Sequence, residues 1–191
     1  MKIKASREKK IFIFKNSLRY FLYAFIILVC FSFMMSGRLL KPVLLIPASI
    51  CIAMNTKELP SAFTGAFCGL LIDIACGKIF GYNAFILTVV CTFVSLLYMN
   101  YLRKKFINFL LITTLSSLLC SMLDYVFYYN IWDYENVESV LHTVTMPVFA
   151  YTVISAVPLY LVFMLVNRFL MPERHLTIAE VIKINREENS K

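Results

Sequence analysis

The residues of this chain that could do chemistry are few, and the most telling is an acid inside an apolar run. Asp73 belongs to a series at spacing four: Ser61, Gly65, Gly69, Asp73 and Gly77. On a helix that spacing keeps all five on one nearly continuous stripe, which Ala62 and Ala66 widen. A stripe of small residues lets a second helix backbone approach closely, and this drives association in lipid, where hydrophobicity cannot. A carboxylate there is costly at membrane depth, so it should face protein or water and take a partner. Asn83, at the start of the next apolar run, and Lys78, in the intervening GKIFGYN turn, are the candidates. Three roles stay open for Asp73: pinning its helix to the following turn, holding a substrate or ion, or touching a partner subunit.

Asp124 is the second intramembrane acid. It lies near the end of a later apolar run, beside Tyr125, Tyr128 and Tyr129, and reads as an acid snorkelling to the interface. A polar network shared with Asp73 is also open. Catalytic signatures are absent from the sequence: there is no H-E-x-x-H, no G-x-S-x-G and no glycine-rich phosphate loop. His142 and His175 are expected on opposite sides of the membrane, where they cannot share a site. All six cysteines (Cys30, Cys51, Cys68, Cys76, Cys91, Cys120) sit in apolar runs, with no C-x-x-C pair, and read as small buried packing residues. An enzyme, a metal site and a cofactor are therefore not expected.

The elements that must position these residues are membrane spans. The chain is 60% hydrophobic and 16% charged over 191 residues, too little polar surface for a soluble fold. At about 20 residues per crossing, that length holds roughly six spans with short loops. The runs predict an all-α bundle of six transmembrane helices over 18–166, with spans near 18–36, 39–54, 61–76, 82–99, 106–128 and 144–166. Residues 1–17 form a basic N-terminus and 167–191 a charged C-terminal tail, expected to be helical near the surface. The first run is too long for a signal-peptide core and lacks a small-x-small cleavage site, so it reads as an uncleaved span. The second span is short and carries Pro42 and Pro47. The third, also short, is expected to cross with local thinning or to continue into a partly unwound turn.

Charge placement turns six spans into an orientation. With both ends in the cytoplasm, the inner side holds 16 Lys and Arg, counting Arg19 at the edge of the first span, and the outer side holds only Arg38, Lys78 and Lys41 at the edge of the second span. If the second span did not cross, the count would become 8 inside against 11 outside. The loop at 129–143 carries Asp133, Glu135 and Glu138 without Lys or Arg, and tyrosines with Trp132 form an interfacial belt around it. The basic excess is thus a membrane signal, and no basic face for nucleic acid can be built.

The stretch FTGAFCGLLIDIACGKIFGYNAFILTVVCTFVSLL resembles the rod shape-determining protein MreD family. The likeness rests on a small-residue helix ending in Ile-Asp, a glycine-containing turn and a Gly-x-Asn-Ala start to the next helix. Here these are Gly65, Gly69, Asp73, Gly77, Gly81, Asn83 and Ala84. Pro42, the S-M-L-D-Y run at 121–125 and Pro158 extend it more weakly, and Val43 departs from a polar residue often found after the proline. The resemblance implies a non-enzymatic subunit of the bacterial cytoplasmic membrane that binds an MreC-like bitopic scaffold. It implies indirect links to MreB filaments, a RodA-type glycosyltransferase and a penicillin-binding transpeptidase, and so a role in cell shape and peptidoglycan synthesis. It also implies a fold similar to the substrate-binding subunits of energy-coupling-factor transporters. The rival reading is such a subunit itself, binding a vitamin through an outer pocket built from Asp73, Asn83, Asp124 and the tyrosines.

Overall fold

The computed structural model describes residues 2–36, 42–102, 105–130 and 141–170, with side chains for all of these except 2–13, 129 and 130. The elements are α1 (Lys2–Met35), α2 (Leu45–Ala53), α3 (Glu58–Cys76), α4 (Tyr82–Asn100), α5 (Phe106–Tyr125) and α6 (Met146–Leu170). A π-helical turn, Val126–Asn130, extends α5, and another, Leu141–Thr145, leads into α6. Five helical segments are long and apolar enough to cross a membrane: Phe14–Met35, Glu58–Cys76, Tyr82–Asn100, Phe106–Tyr128 and Leu141–Leu170.

The burial pattern is that of a protein dissolved in lipid. Phe21, Phe63, Phe85, Ile107 and Leu111 stand on the outer surface, while Ser49, Ser61, Ser95, Thr113 and Ser117 are fully buried. In water such an exposed apolar surface would drive aggregation, whereas against lipid tails it is neutral. Ser49 and Ser117 donate to carbonyls of their own helices, Ser49 to Ile46 at 2.8 Å, while Ser61 and Ser95 donate to carbonyls of other segments. Inside the bundle they need no water.

The second span is where the fold departs most from expectation. In place of a helix over 39–54 there is a nine-residue helix, Leu45–Ala53, about 14 Å long at 1.5 Å per residue. Proline is the reason. Pro47 has no N–H to give to a preceding turn, so the helix that holds it can begin no earlier than its own first turn, at Leu45. Val43, not yet helical, donates its N–H to Thr152 Oγ1 of α6 at 3.0 Å. All nine residues of α2 are buried, and the helix touches each of the other five. It is the centre of the core.

Two sets of contacts define the two ends of the bundle. At one end Ser95 Oγ donates to the Thr56 carbonyl at 2.8 Å, tying the end of α4 to the α2–α3 link. Tyr160 of α6 stacks on Phe109 at the start of α5, 4.8 Å between ring centres. Tyr23 of α1 hydrogen-bonds Asn167 in the last turn of α6. At the other end the α3–α4 turn meets the end of α5. The segment 42–57 thus carries the chain from the lead-in beside Thr152 to the Thr56 end.

Other boundaries shift in smaller ways. α3 begins at Glu58, three residues before the expected 61, because Pro60 sits in the first turn, where a missing N–H costs nothing. Its 19 residues span about 28 Å. The helix is thus longer than the 16 residues expected for span three, and long and apolar enough to cross by length and composition. Asn167 is buried inside α6 instead of beginning a surface tail. Five cysteines are buried as expected, but Cys76 is exposed at the end of α3. Trp132, Tyr134, Asp133, Glu135, Glu138, His175 and the tail beyond 170 lie outside the described residues.

Candidate functional site

α3 and α4 pack antiparallel along the small-residue stripe, rung by rung. Ser61 Oγ donates to the Cys91 carbonyl at 2.7 Å. A Cβ built on Gly65 would stand 2.7 Å from the Leu87 carbonyl oxygen. One built on Gly69 would stand 2.5 Å from both the Ala84 nitrogen and the Asn83 oxygen. Real Cβ atoms do not come so close to backbone, so only glycine permits this approach at either rung. The stripe therefore serves the chain's own helix pair.

Asp73 is the last rung and the polar one. It is 1% exposed, and Asn83 is 5% exposed. Asp73 Oδ2 accepts from the Gly81 N–H at 2.8 Å, and Oδ1 accepts from the Asn83 N–H at 3.2 Å and from Asn83 Nδ2 at 2.8 Å. Gly81 and Asn83 bracket the first turn of α4, whose N-cap position is Gly81 itself, with φ 96° and no capping side chain. A helix start leaves N–H groups unsatisfied and carries partial positive charge. Asp73 supplies from α3 the cap that α4 lacks, through three hydrogen bonds.

The turn between them explains Gly77 and Lys78. Gly77 adopts φ 63°, the left-handed conformation that ends many helices, and a Cβ there would meet nothing within 4 Å. The Lys78 N–H returns to the Asp73 carbonyl at 3.0 Å, closing α3. Gly77 is thus a helix stop and not a fifth rung of the stripe, because the helix ends one residue earlier. Gly81 likewise is conformational, taking a positive φ where the chain enters α4.

Lys78 does not pair with Asp73. Its Nζ lies 2.5 Å from Asp124 Oδ2, and both side chains are about three-quarters covered, at 22% and 25% exposure. Asp124 is therefore ion-paired instead of snorkelling free. Tyr128 reinforces the join: its hydroxyl accepts the Ile79 N–H at 3.0 Å, and its ring lies 5.6 Å from Lys78 Nζ. Tyr82 packs edge-on against Tyr128, 5.7 Å between ring centres. One turn is thus held twice, by Asp73 to the start of α4 and by Asp124 to the end of α5.

Sequence reasoning missed a second polar feature at the Thr56 end. Arg19 is buried, donates to Asn16 Oδ1 at 3.1 Å and lies over the rings of Tyr20 and Tyr23. Its place one residue inside the expected first span was the available signal. Among the described residues no group of three His, Cys, Asp or Glu could hold a metal ion. His142 is exposed, far in sequence from either join.

These features define an all-helical, multi-pass membrane protein whose two intramembrane acids are bound within the bundle. The family model of the rod shape-determining protein MreD matches residues 9–170, and the chain belongs to that family. It is a membrane protein of cell-shape determination. No curated protein and no solved structure matches the chain.

Proposed function

We propose that this chain is a non-enzymatic subunit of the bacterial cell-elongation complex, acting by binding an MreC-like bitopic scaffold protein. The observation that carries this reading is the double fixing of the α3–α4 turn by Asp73 and Asp124 within a chain of the rod shape-determining family. Both oxygens of Asp73 take protein donors, and Asp124 binds Lys78 through Oδ2, which suits a rigid platform better than a reaction centre. MreB filaments, a RodA-type glycosyltransferase and a penicillin-binding transpeptidase are reached through the scaffold.

In this reading the chain crosses the cytoplasmic membrane six times, with α2 and the residues leading into it making one short passage. The Thr56 end, where Lys57 lies, faces the cytoplasm with both termini, and the Asp73 end faces outward. The imbalance of 16 inner against 3 outer Lys and Arg supports that direction. The similarity to energy-coupling-factor substrate-binding subunits is part of the same reading, as a shared six-helix plan and not a shared ligand.

Affinity purification of the tagged chain from native membranes tests it. Recovery of an MreC-like protein with cell-wall synthases is the expected result. Recovery of a paired ATPase instead would make the chain a transporter subunit and end the proposal.

A further inference from the structure

α1 turns one stripe inward, at spacings of three and four: Arg19, Tyr23, Ile27, Cys30 and Met34 are all buried. Arg19 is the charged member. A guanidinium at the edge of a span ordinarily lays its stem along apolar surface and puts its head in water. Arg19 does not, since it is only 7% exposed. Its guanidinium carbon lies 5.3 Å from the ring centre of Tyr20 and 5.8 Å from that of Tyr23, and one Nη donates to Asn16 Oδ1. The Nε N–H is enclosed and has no hydrogen-bond partner.

No described carboxylate answers this charge. Of the acids whose side chains are described, Asp73 and Asp124 are bound at the opposite end of the bundle, and Glu58 is exposed on the outer α3–α4 face, beside Ala62 and Thr92. The Lys78–Asp124 contact is the one ion pair among the described residues. The charged groups flanking Arg19 are themselves basic. Lys15 stands one turn earlier on α1, Arg168 follows the Asn167 that Tyr23 binds, and both are exposed. Two rings and one amide offset part of the cost of burying the cation; an open donor beside them calls for an anion.

We infer that Arg19 holds a phosphate group, delivered as the headgroup of an anionic phospholipid of the cytoplasmic leaflet. The inference rests on the orientation proposed above, which puts the Thr56 end, and Arg19 with it, at the headgroup level of that leaflet. Guanidinium donors match phosphate oxygens as a two-pronged fork, and the free Nε N–H is one prong. The surroundings attract negative charge, because residues 1–19 hold seven Lys and Arg against one acid, Glu8. A phospholipid also brings acyl chains, which the exposed Leu18, Phe21 and Phe25 of α1 would meet. The chain's own tail is a poorer source of the anion: residues 171–191 hold four acids against four Lys and Arg, with no net negative charge.

Native mass spectrometry of the purified full chain, in mixed micelles containing phosphatidylglycerol and phosphatidylcholine, provides the test. Phosphatidylglycerol should be retained in preference to phosphatidylcholine, and should raise Tm where phosphatidylcholine does not. Arg19→Gln should weaken that retention by about tenfold, the scale of one lost bond to a charged group. Lys15→Gln, which removes an exposed charge, should weaken it far less. Arg19→Lys keeps the charge and loses the fork, so it decides the matter if Arg19→Gln does not fold, and it too should fall short of wild type. Equal retention by wild type and either Arg19 variant, or no preference between the lipids, would overturn the site. An equal Tm rise from inorganic phosphate in phosphatidylcholine micelles would overturn the lipid as its source. Retention that appears only in Glu173→Gln/Glu180→Gln would assign Arg19 to the tail and overturn the proposal. None of these outcomes bears on scaffold binding, and failure to recover an MreC-like protein would leave the lipid result standing.

Discussion

Asp73 receives two hydrogen bonds from Asn83, at 3.2 Å from the main-chain N–H and 2.8 Å from the side-chain amide. Ten residues separate them, yet together they join two membrane helices, because the first bond caps a helix and the second holds the capping group in place.

Removing the carboxylate should therefore loosen the helix pair. Asp73→Ala leaves the Gly81 N–H, the Asn83 N–H and the Asn83 amide without an acceptor in a largely buried site. At about 1–3 kcal/mol per stranded donor, the loss should reach about 3 kcal/mol or more. Asp73→Asn keeps the shape and one acceptor, so it should fall between. Thermal unfolding of the purified protein reads the order, and an unshifted Tm for Asp73→Ala would refute the capping role.

The glycine rungs should rank by how close the facing backbone lies. Gly69→Ala forces a Cβ into the Ala84 and Asn83 backbone, whereas Gly65→Ala meets the Leu87 carbonyl and the Cys91 side chain at slightly greater distance. Overpacking of this kind costs about 1–3 kcal/mol, and Gly69→Leu should exceed that range. The predicted order of membrane levels is wild type, Gly65→Ala, Gly69→Ala, Gly69→Leu. Wild-type levels of Gly69→Leu would contradict the close approach.

The ion pair should show coupling. Lys78→Ala and Asp124→Ala each remove one partner of a pair that is about three-quarters covered, and each should cost about 1–2 kcal/mol after allowance for screening. The double variant should cost less than the sum of the two. Strict additivity in a double-mutant cycle would mean that the 2.5 Å contact contributes nothing.

The passage of the second segment is open to chemical labelling. Single cysteines at Ser36 and Lys57, in a chain stripped of its own cysteines, should react with a membrane-impermeant maleimide from opposite faces of the membrane. Labelling from the same face would mean that α2 turns back, and the orientation of every later helix would reverse.

Much of the α3–α4 join is legible in the sequence. Spacing at four residues places Ser61, Gly65, Gly69 and Asp73 on one face, and the cost of a membrane carboxylate demands a nearby donor such as Asn83. The pattern cannot say where the face stops. Gly77 continues the spacing but belongs to the turn, since a glycine serves equally as a packing gap and as a left-handed stop. Lys78 lies five residues from Asp73 and 46 from Asp124, so its true partner emerges only when the turn is folded against α5. The start of α2 is hidden for a related reason: hydropathy reads 39–54 as one run, while Pro47 must fall in the first turn of its helix, which begins at Leu45.

That short central helix has a consequence for how the chain tolerates change. The longer helices each present one side to lipid, so substitutions along them should be accepted or rejected with a period near four residues. α2 has no such side, because all nine of its residues are enclosed by the five helices around it. Variation there should be rejected at every position in turn, making Leu45–Ala53 an unbroken block of constraint in a chain otherwise marked by alternation.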